Sequence, residues 1–149
     1  ATVCLHTFIP ICADSVTVDM VIIMKKIRNE VQIMPYIAVS TSKMLSDAQK
    51  DALKASLGEK IRVIPGKTEA ALMIDIADGH TMYLAGEKRE LAFLDVRCFG
   101  STEFANKKAF TEAVFEAVQQ TTGLPEDGIY LTYSEFANWG TKGSMKQVL

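Results

Sequence analysis

Cysteine is scarce and odd in number: Cys4, Cys12 and Cys98 form no C-x-x-C pair. Neither a disulfide framework nor a zinc site is indicated, and a reducing cytoplasm fits best. Charge of either sign is not in excess. A formal net charge of -2 and a pI near 5.7, with acids and bases interspersed, leave no basic stripe to attract a phosphate backbone, so nucleic acid is not an expected partner. Long hydrophobic runs are missing too. Residues 1–23 are apolar in patches, but Asp14 and Asp19 interrupt them, no basic segment precedes them as in a signal peptide, and none reaches the roughly 18 residues of a membrane helix.

What is present is one domain's worth of chain, 149 residues at 48% hydrophobic. The segment 1–33 differs from the rest: it carries β-branched clusters at 16–18 and 21–23 and a basic knot at Lys25, Lys26 and Arg28, without turn chemistry or a partner pattern. Glu30-Val31 can be encoded by GAGGTN, a ribosome-binding sequence just upstream of Met34. Residues 1–33 are therefore expected to be a leader, with an extra strand or helix packed on the domain as the alternative, and the functional domain to run from 35 to 149.

From Pro35 the pattern is regular. Tyr36 to Thr41 is a β-branched, apolar strand, and Ser46-Asp47-Ala48-Gln49 has the form of a capping box opening a helix. Leu53, Leu57, Ile61 and Ile64 form its apolar stripe, Ala48, Ala52 and Ala55 a small-residue face suited to lying close on a sheet, and Pro65-Gly66 its stop. Thr68 to Ala77 is expected as a second strand, Asp78-Gly79 as a turn, Met82 to Gly86 as a short edge strand and Leu91 to Phe99 as the third main strand. A second helix follows Gly100–Thr102, with Phe110, Val114, Ala117 and Val118 buried and Gly123-Leu124-Pro125 as its stop, before a fourth strand from Gly128 to Tyr133.

The fold class expected is α+β: two β-α-β repeats, each with parallel strands, forming a four-stranded sheet covered on one face by two helices. The opposite face, carrying Val39, Leu72 or Met73, and Phe93 or Leu94, needs cover that one chain lacks, so self-association is expected.

Met34-Pro35, Pro65-Gly66-Lys67, Met82-Tyr83-Leu84-Ala85-Gly86, Arg97-Cys98-Phe99-Gly100 and Ile129-Tyr130-Leu131-Thr132-Tyr133 resemble, in collinear order over about 35–140, the macrophage migration inhibitory factor branch of the tautomerase superfamily. The resemblance implies a homotrimer with active sites between neighbours. It further implies a cofactor-free keto-enol tautomerase of phenylpyruvate-like, small aromatic 2-oxo acids, whose base is a proline nitrogen exposed by removal of the methionine. Pro35 matches that base, Lys67 the lysine that holds the substrate carboxylate, Phe99 the strand-end position whose amide faces the substrate, and Tyr130 the tyrosine contributed by a neighbour. The alternative within the same family is a cytokine-like binding or signalling trimer, especially if residues 1–33 remain attached.

This chain departs from the family at four places. The asparagine two residues after the tyrosine is Thr132, the histidine of the third strand is Arg97, the aromatic after the lysine loop is replaced by Ala71, and Leu91–Leu94 stand where the animal cytokine has C-x-x-C. Thr132 and Arg97 alter the polarity of the expected pocket.

The residues support these roles independently. An α-amino group titrates near about 7.7 to 8.0, and burial beside cations disfavours its charged form, so an N-terminal amine near Lys67 is a base at neutral pH. The Tyr130 hydroxyl or Lys67 ammonium could stabilise charge on an enolate oxygen. Phe99, Phe136 and Trp139 offer apolar walls. Plainer readings stand beside these: strand packing for Tyr130, a solvated loop lysine for Lys67, an Asp95–Arg97 ion pair, exposed His6 and His80, and an interface tail for Asn138-Trp139-Gly140.

Overall fold

The computed structural model describes residues 18–23 and 34–148. The chain divides into two compact units, Ala1–Val31 and Gln32–Leu149. In the first, residues 18–23 are helical with Val18, Met20, Val21, Ile22 and Ile23 exposed. The remainder of the expected leader, with Cys4, Cys12 and His6, lies outside the described residues. No described helix is long and apolar enough to cross a membrane.

The second unit is built from strand β1 (Tyr36–Thr41), helix α1 (Asp47–Lys60), β2 (Met73–Ala77), β3 (Tyr83–Leu84), β4 (Glu87–Lys88), β5 (Ala92–Phe99), α2 (Phe104–Thr122), β6 (Ile129–Phe136), β7 (Asn138–Thr141) and β8 (Ser144–Gln147). The capping box closes as expected: the Gln49 amide donates to Ser46 Oγ and the Ser46 amide to Gln49 Oε1. The Gln49 side chain also donates to the Thr121 carbonyl, tying the start of α1 to the end of α2.

Helix α1 stops at Lys60, short of Pro65-Gly66, and the chain tightens into a 3-10 turn at Ile61–Val63. Pro65 drives the residue before it out of the helical region, and Ile64 is extended at φ -84° and ψ 118°. The expected stripe of Leu53, Leu57, Ile61 and Ile64 is buried. Ala48, Ala52 and Ala55, in contrast, are exposed and do not lie on the sheet. At about 100° per residue they fall roughly 100° or more around the helix from Leu53, so the leucines take the inner line. Helix α2 buries Phe110, Val114, Ala117 and Val118 as expected and ends on Gly123, whose left-handed φ of 72° aims its amide at the Gln119 carbonyl.

Strand order is β2-β1-β5-β6. β1 and β2 are parallel, β5 and β6 are parallel, and the two halves meet antiparallel at β1–β5, with Tyr36 opposite Arg97. Two expected segments differ. The β2 strand begins only at Met73, after a 3-10 turn at Glu69–Ala71, and Tyr83–Leu84 pairs with Glu87–Lys88 in a small separate hairpin rather than edging the main sheet.

One core unites the helices with the inner face of the sheet: Ile37, Val39, Leu94, Val96 and Ile129 pack with Leu53, Leu57, Phe110 and Val114. Val39 therefore lies under the helices and not on the open face. Alternation from Tyr36 decides this, because Ile37, Val39 and Thr41 share one side and Tyr36 and Ala38 the other. The open face carries Met73 and Phe93, along with Tyr36, Asp75, Asp95, Arg97, Tyr130 and Thr132. Met73 is 61%, Phe93 39% and Tyr130 51% exposed.

Candidate functional site

Pro35 is buried just ahead of β1, and its carbonyl accepts from the Met73 amide at 3.0 Å. Beside it lies a cavity of about 710 Å³ lined by Met34, Pro35, Tyr36, Met73, Arg97 and Phe136, and by residues 138–142 of the β7–β8 hairpin. A volume in this range suits a small organic ligand. Trp139 stands edge-on to Phe136 with ring centroids 6.0 Å apart, forming an apolar wall. Thr141 Oγ1 lies 3.2 Å from Met34 Sδ, so the hairpin reaches over the Met34–Pro35 linkage. In the chain as it stands the Pro35 nitrogen is acylated by Met34 and has no proton chemistry.

Lys67 follows α1 at the same end of the sheet. Its ammonium donates to the Phe99 carbonyl at 2.9 Å, and Phe99 pairs with the cavity residue Phe136. Lys67 is half-buried; desolvation pulls its pKa down from the ordinary lysine value, opposed by Cys98 and Glu135. Phe99 is buried at the end of β5. The Cys98 thiol behind it is buried and pushed up, chiefly by desolvation, which makes it a poor nucleophile.

Arg97 lines the cavity from the open face. The Asp95–Arg97 ion pair forms, with Arg97 Nε at 2.9 Å and Nη2 at 2.7 Å from Asp95 Oδ2, while the guanidinium lies 5.8 Å from the Tyr36 ring centroid. Thr132 Oγ1 donates to Asp95 Oδ1 at 3.4 Å, and Thr132 itself does not line the cavity. The Tyr36 hydroxyl donates to Asp75 at 3.3 Å, and desolvation, then the Asp75 charge, push that phenol up.

Tyr130 is not part of this cavity. Ser134 is the β6 residue opposite Arg97, and Tyr130 sits four positions back along the strand, ~13 Å away at the usual rise. Within one chain the structure brings together Pro35, Arg97 and Trp139, with Lys67 and Phe99 at the same sheet end, and leaves Tyr130 exposed elsewhere. His80 is exposed in its turn, as expected. Trp139 was expected as an apolar wall and lines the cavity. The lining residues not expected at a site are Tyr36, Met73, Thr141 and Lys142, and the pairing of Asn138–Thr141 with Ser144–Gln147 as the β7–β8 hairpin was not expected either. The hairpin's sequence signal was weak: Gly143 suits the turn, but Lys142-Gly143 is not the favoured Asn-Gly or Asp-Gly, and each arm holds one large apolar residue, Trp139 or Met145.

The family model described as Macrophage migration inhibitory factor (MIF) matches residues 34–146. No curated protein matches the chain. Among solved structures, the chain is similar to Leishmania major MIF2, at 25% identity and a TM-score of 0.71, over 76% of this chain and 97% of that one. It is also similar to a Prochlorococcus marinus macrophage migration inhibitory factor homologue, at 21% identity and a TM-score of 0.66, over 74% and 97%. A protein inactivated by 2-oxo-3-pentynoate shares the fold at 22% identity and a TM-score of 0.66, over 72% and 93%.

Proposed function

Because the chain belongs to the macrophage migration inhibitory factor family, we propose that it is a cofactor-free keto-enol tautomerase of phenylpyruvate-like 2-oxo acids, whose base is the Pro35 amine released by cleavage after Met34. The observation that carries this reading is the setting of Pro35: buried, at the edge of an apolar-walled cavity that holds Arg97, with the Lys67 ammonium at the same sheet end. Burial and nearby positive charge both favour a neutral amine, hence a base, near neutral pH.

In the keto-to-enol direction the Pro35 nitrogen takes a proton from the carbon next to the 2-oxo group. Charge builds on the carbonyl oxygen, which takes up a proton as the prolinium gives one back, so the reaction is balanced within one substrate. Lys67 holds the substrate carboxylate, and its ammonium gives up part of its bond to the Phe99 carbonyl to do so. Trp139 and Phe136 face the aromatic body. Tyr130 enters only from another copy, so the open sheet faces associate, as a homotrimer, before the site is complete.

Loss of enol absorbance on adding protein that begins at Pro35 tests the reading. The expected result is rapid ketonisation by that protein and none by the full 149-residue chain, whose proline nitrogen is an amide. Equal rates from Pro35-initiated protein and a Pro35→Gly variant would show that the proline ring amine is not the base. If the full chain proves to be the native form, the cytokine-like alternative follows: a binding trimer whose acylated proline is catalytically silent.

A further inference from the structure

Lys142 stands at the tip of the β7–β8 hairpin, on the rim of the Pro35 cavity. Thr141 and Ser144 pair across the hairpin, and the two residues between them, Lys142 and Gly143, both have positive φ, 50° and 74°. This turn favours Asn-Gly, because a Cβ crowds the following carbonyl oxygen in the left-handed region, which glycine avoids and the short polar side chain of asparagine offsets by local hydrogen bonding. Lys142 thus occupies a position its own backbone preference does not explain, a circumstance associated with binding sites.

The electrostatics of the cavity give that position a purpose. Its described lining residues include two cations, Arg97 and Lys142, and no carboxylate. Arg97 already spends Nε and Nη2 on Asp95. Lys142 makes no ion pair among the described residues. With Lys67 assigned to the 2-oxo acid's own carboxylate, the hairpin lysine and the outer edge of the Arg97 guanidinium remain to meet a second negative charge. Met73, Phe136 and Trp139 leave an apolar body between the charges as the remaining requirement.

We propose that Lys142 is a specificity-determining residue that selects ligands carrying a second anionic group. The substrate class it implies is an aromatic 2-oxo acid with a further carboxylate. The word substrate rests on the tautomerase reading above, whereas the charge selection does not, so the two can fail separately.

Trp139 is the sole tryptophan of the sequence and lines the cavity, so its fluorescence reports occupancy without turnover. The experiment titrates the full chain and a Lys142→Asn variant with terephthalate, a dianion, and benzoate, a monoanion of the same ring. Asn-Gly suits the turn, so Lys142→Asn removes the charge while keeping the hairpin, and its thermal midpoint is expected to hold or rise. Terephthalate is expected to bind about fivefold more tightly than benzoate in the parent chain, the upper end for an exposed ion pair. That ratio should fall towards one in the variant and with added salt. An unchanged ratio in a folded variant overturns the proposal, as does the absence of a Trp139 response to either anion. A ratio that depends on Lys142, in protein whose Pro35-initiated form does not turn over phenylpyruvate, upholds the charge selection and refutes the tautomerase.

Discussion

Replacing Lys67 with methionine keeps most of the apolar stem and removes the ammonium that donates to the Phe99 carbonyl at 2.9 Å. A hydrogen bond to a charged group contributes about 1.5–3 kcal/mol, so losing the carboxylate anchor should lower kcat/KM about 10- to 150-fold. Stability should change little, because the lost bond is offset by relief from burying a charge. The same burial predicts a pH dependence. Lys67 titrates below its ordinary value in the folded protein, mainly through desolvation. Below the folded pKa both states are protonated and the folded state bears the full cost of the buried charge. Between that pKa and the unfolded value the unfolded chain holds the proton longer, so the lysine's contribution to stability rises with pH. The proposed substrate anchoring runs the other way, since it needs the ammonium. In Pro35-initiated protein kcat/KM should therefore fall as pH climbs through the depressed pKa, and Lys67→Arg, which stays charged, should move that alkaline limb upward. The assay is enol absorbance across pH. A Lys67→Met variant within about threefold of the parent, below the roughly tenfold floor of the estimate, refutes the anchoring role.

Phe110 is fully buried and meets Tyr133 edge-on at 6.3 Å between centroids. Phe110→Ala should cost about 3–5 kcal/mol in denaturant unfolding, and a loss under about 1 kcal/mol would mean the helix-sheet core is not as tightly packed as described. Tyr130 lies ~13 Å along the sheet from the Pro35 end, so the proposed role of its hydroxyl requires an interface between copies. Tyr130→Phe should lower kcat/KM about tenfold, and specific activity should fall on dilution as copies separate. Full activity in a species that light scattering shows to be monomeric would remove Tyr130 from the site.

Most local structure was legible in the residues. The Ser46–Gln49 box, the Phe110–Val118 stripe and the turn at Asp78-Gly79 each depend on neighbours within a few positions, and each stands as expected. Leu53, Leu57, Ile61 and Ile64 are buried as expected, though the helix that carries the first two ends at Lys60. Errors arose where two local readings competed. The alanines of α1 suited a close sheet contact, but leucine and isoleucine bury more apolar area and took the inner face. Val39 looked available to the open face because β1 has apolar or small residues on both sides, and only the helices above it show which side is covered.

The candidate site divides along the same line. Pro35, Lys67, Arg97 and Phe99 were singled out as candidates by their resemblance to a family pattern, and the approach of Pro35 and Arg97 at one sheet end follows once β1 and β5 pair antiparallel. The bond from Lys67 to the Phe99 carbonyl, the fold-back of Trp139 and Lys142 over Met34–Pro35, and the separation of Tyr130 from that cavity were not recognisable. Element type is set by backbone and side-chain preferences over a few residues, which composition and spacing carry directly. Which elements meet, in what register and with which face uncovered, is set by burial summed over the whole unit, and no single stretch of sequence holds that sum.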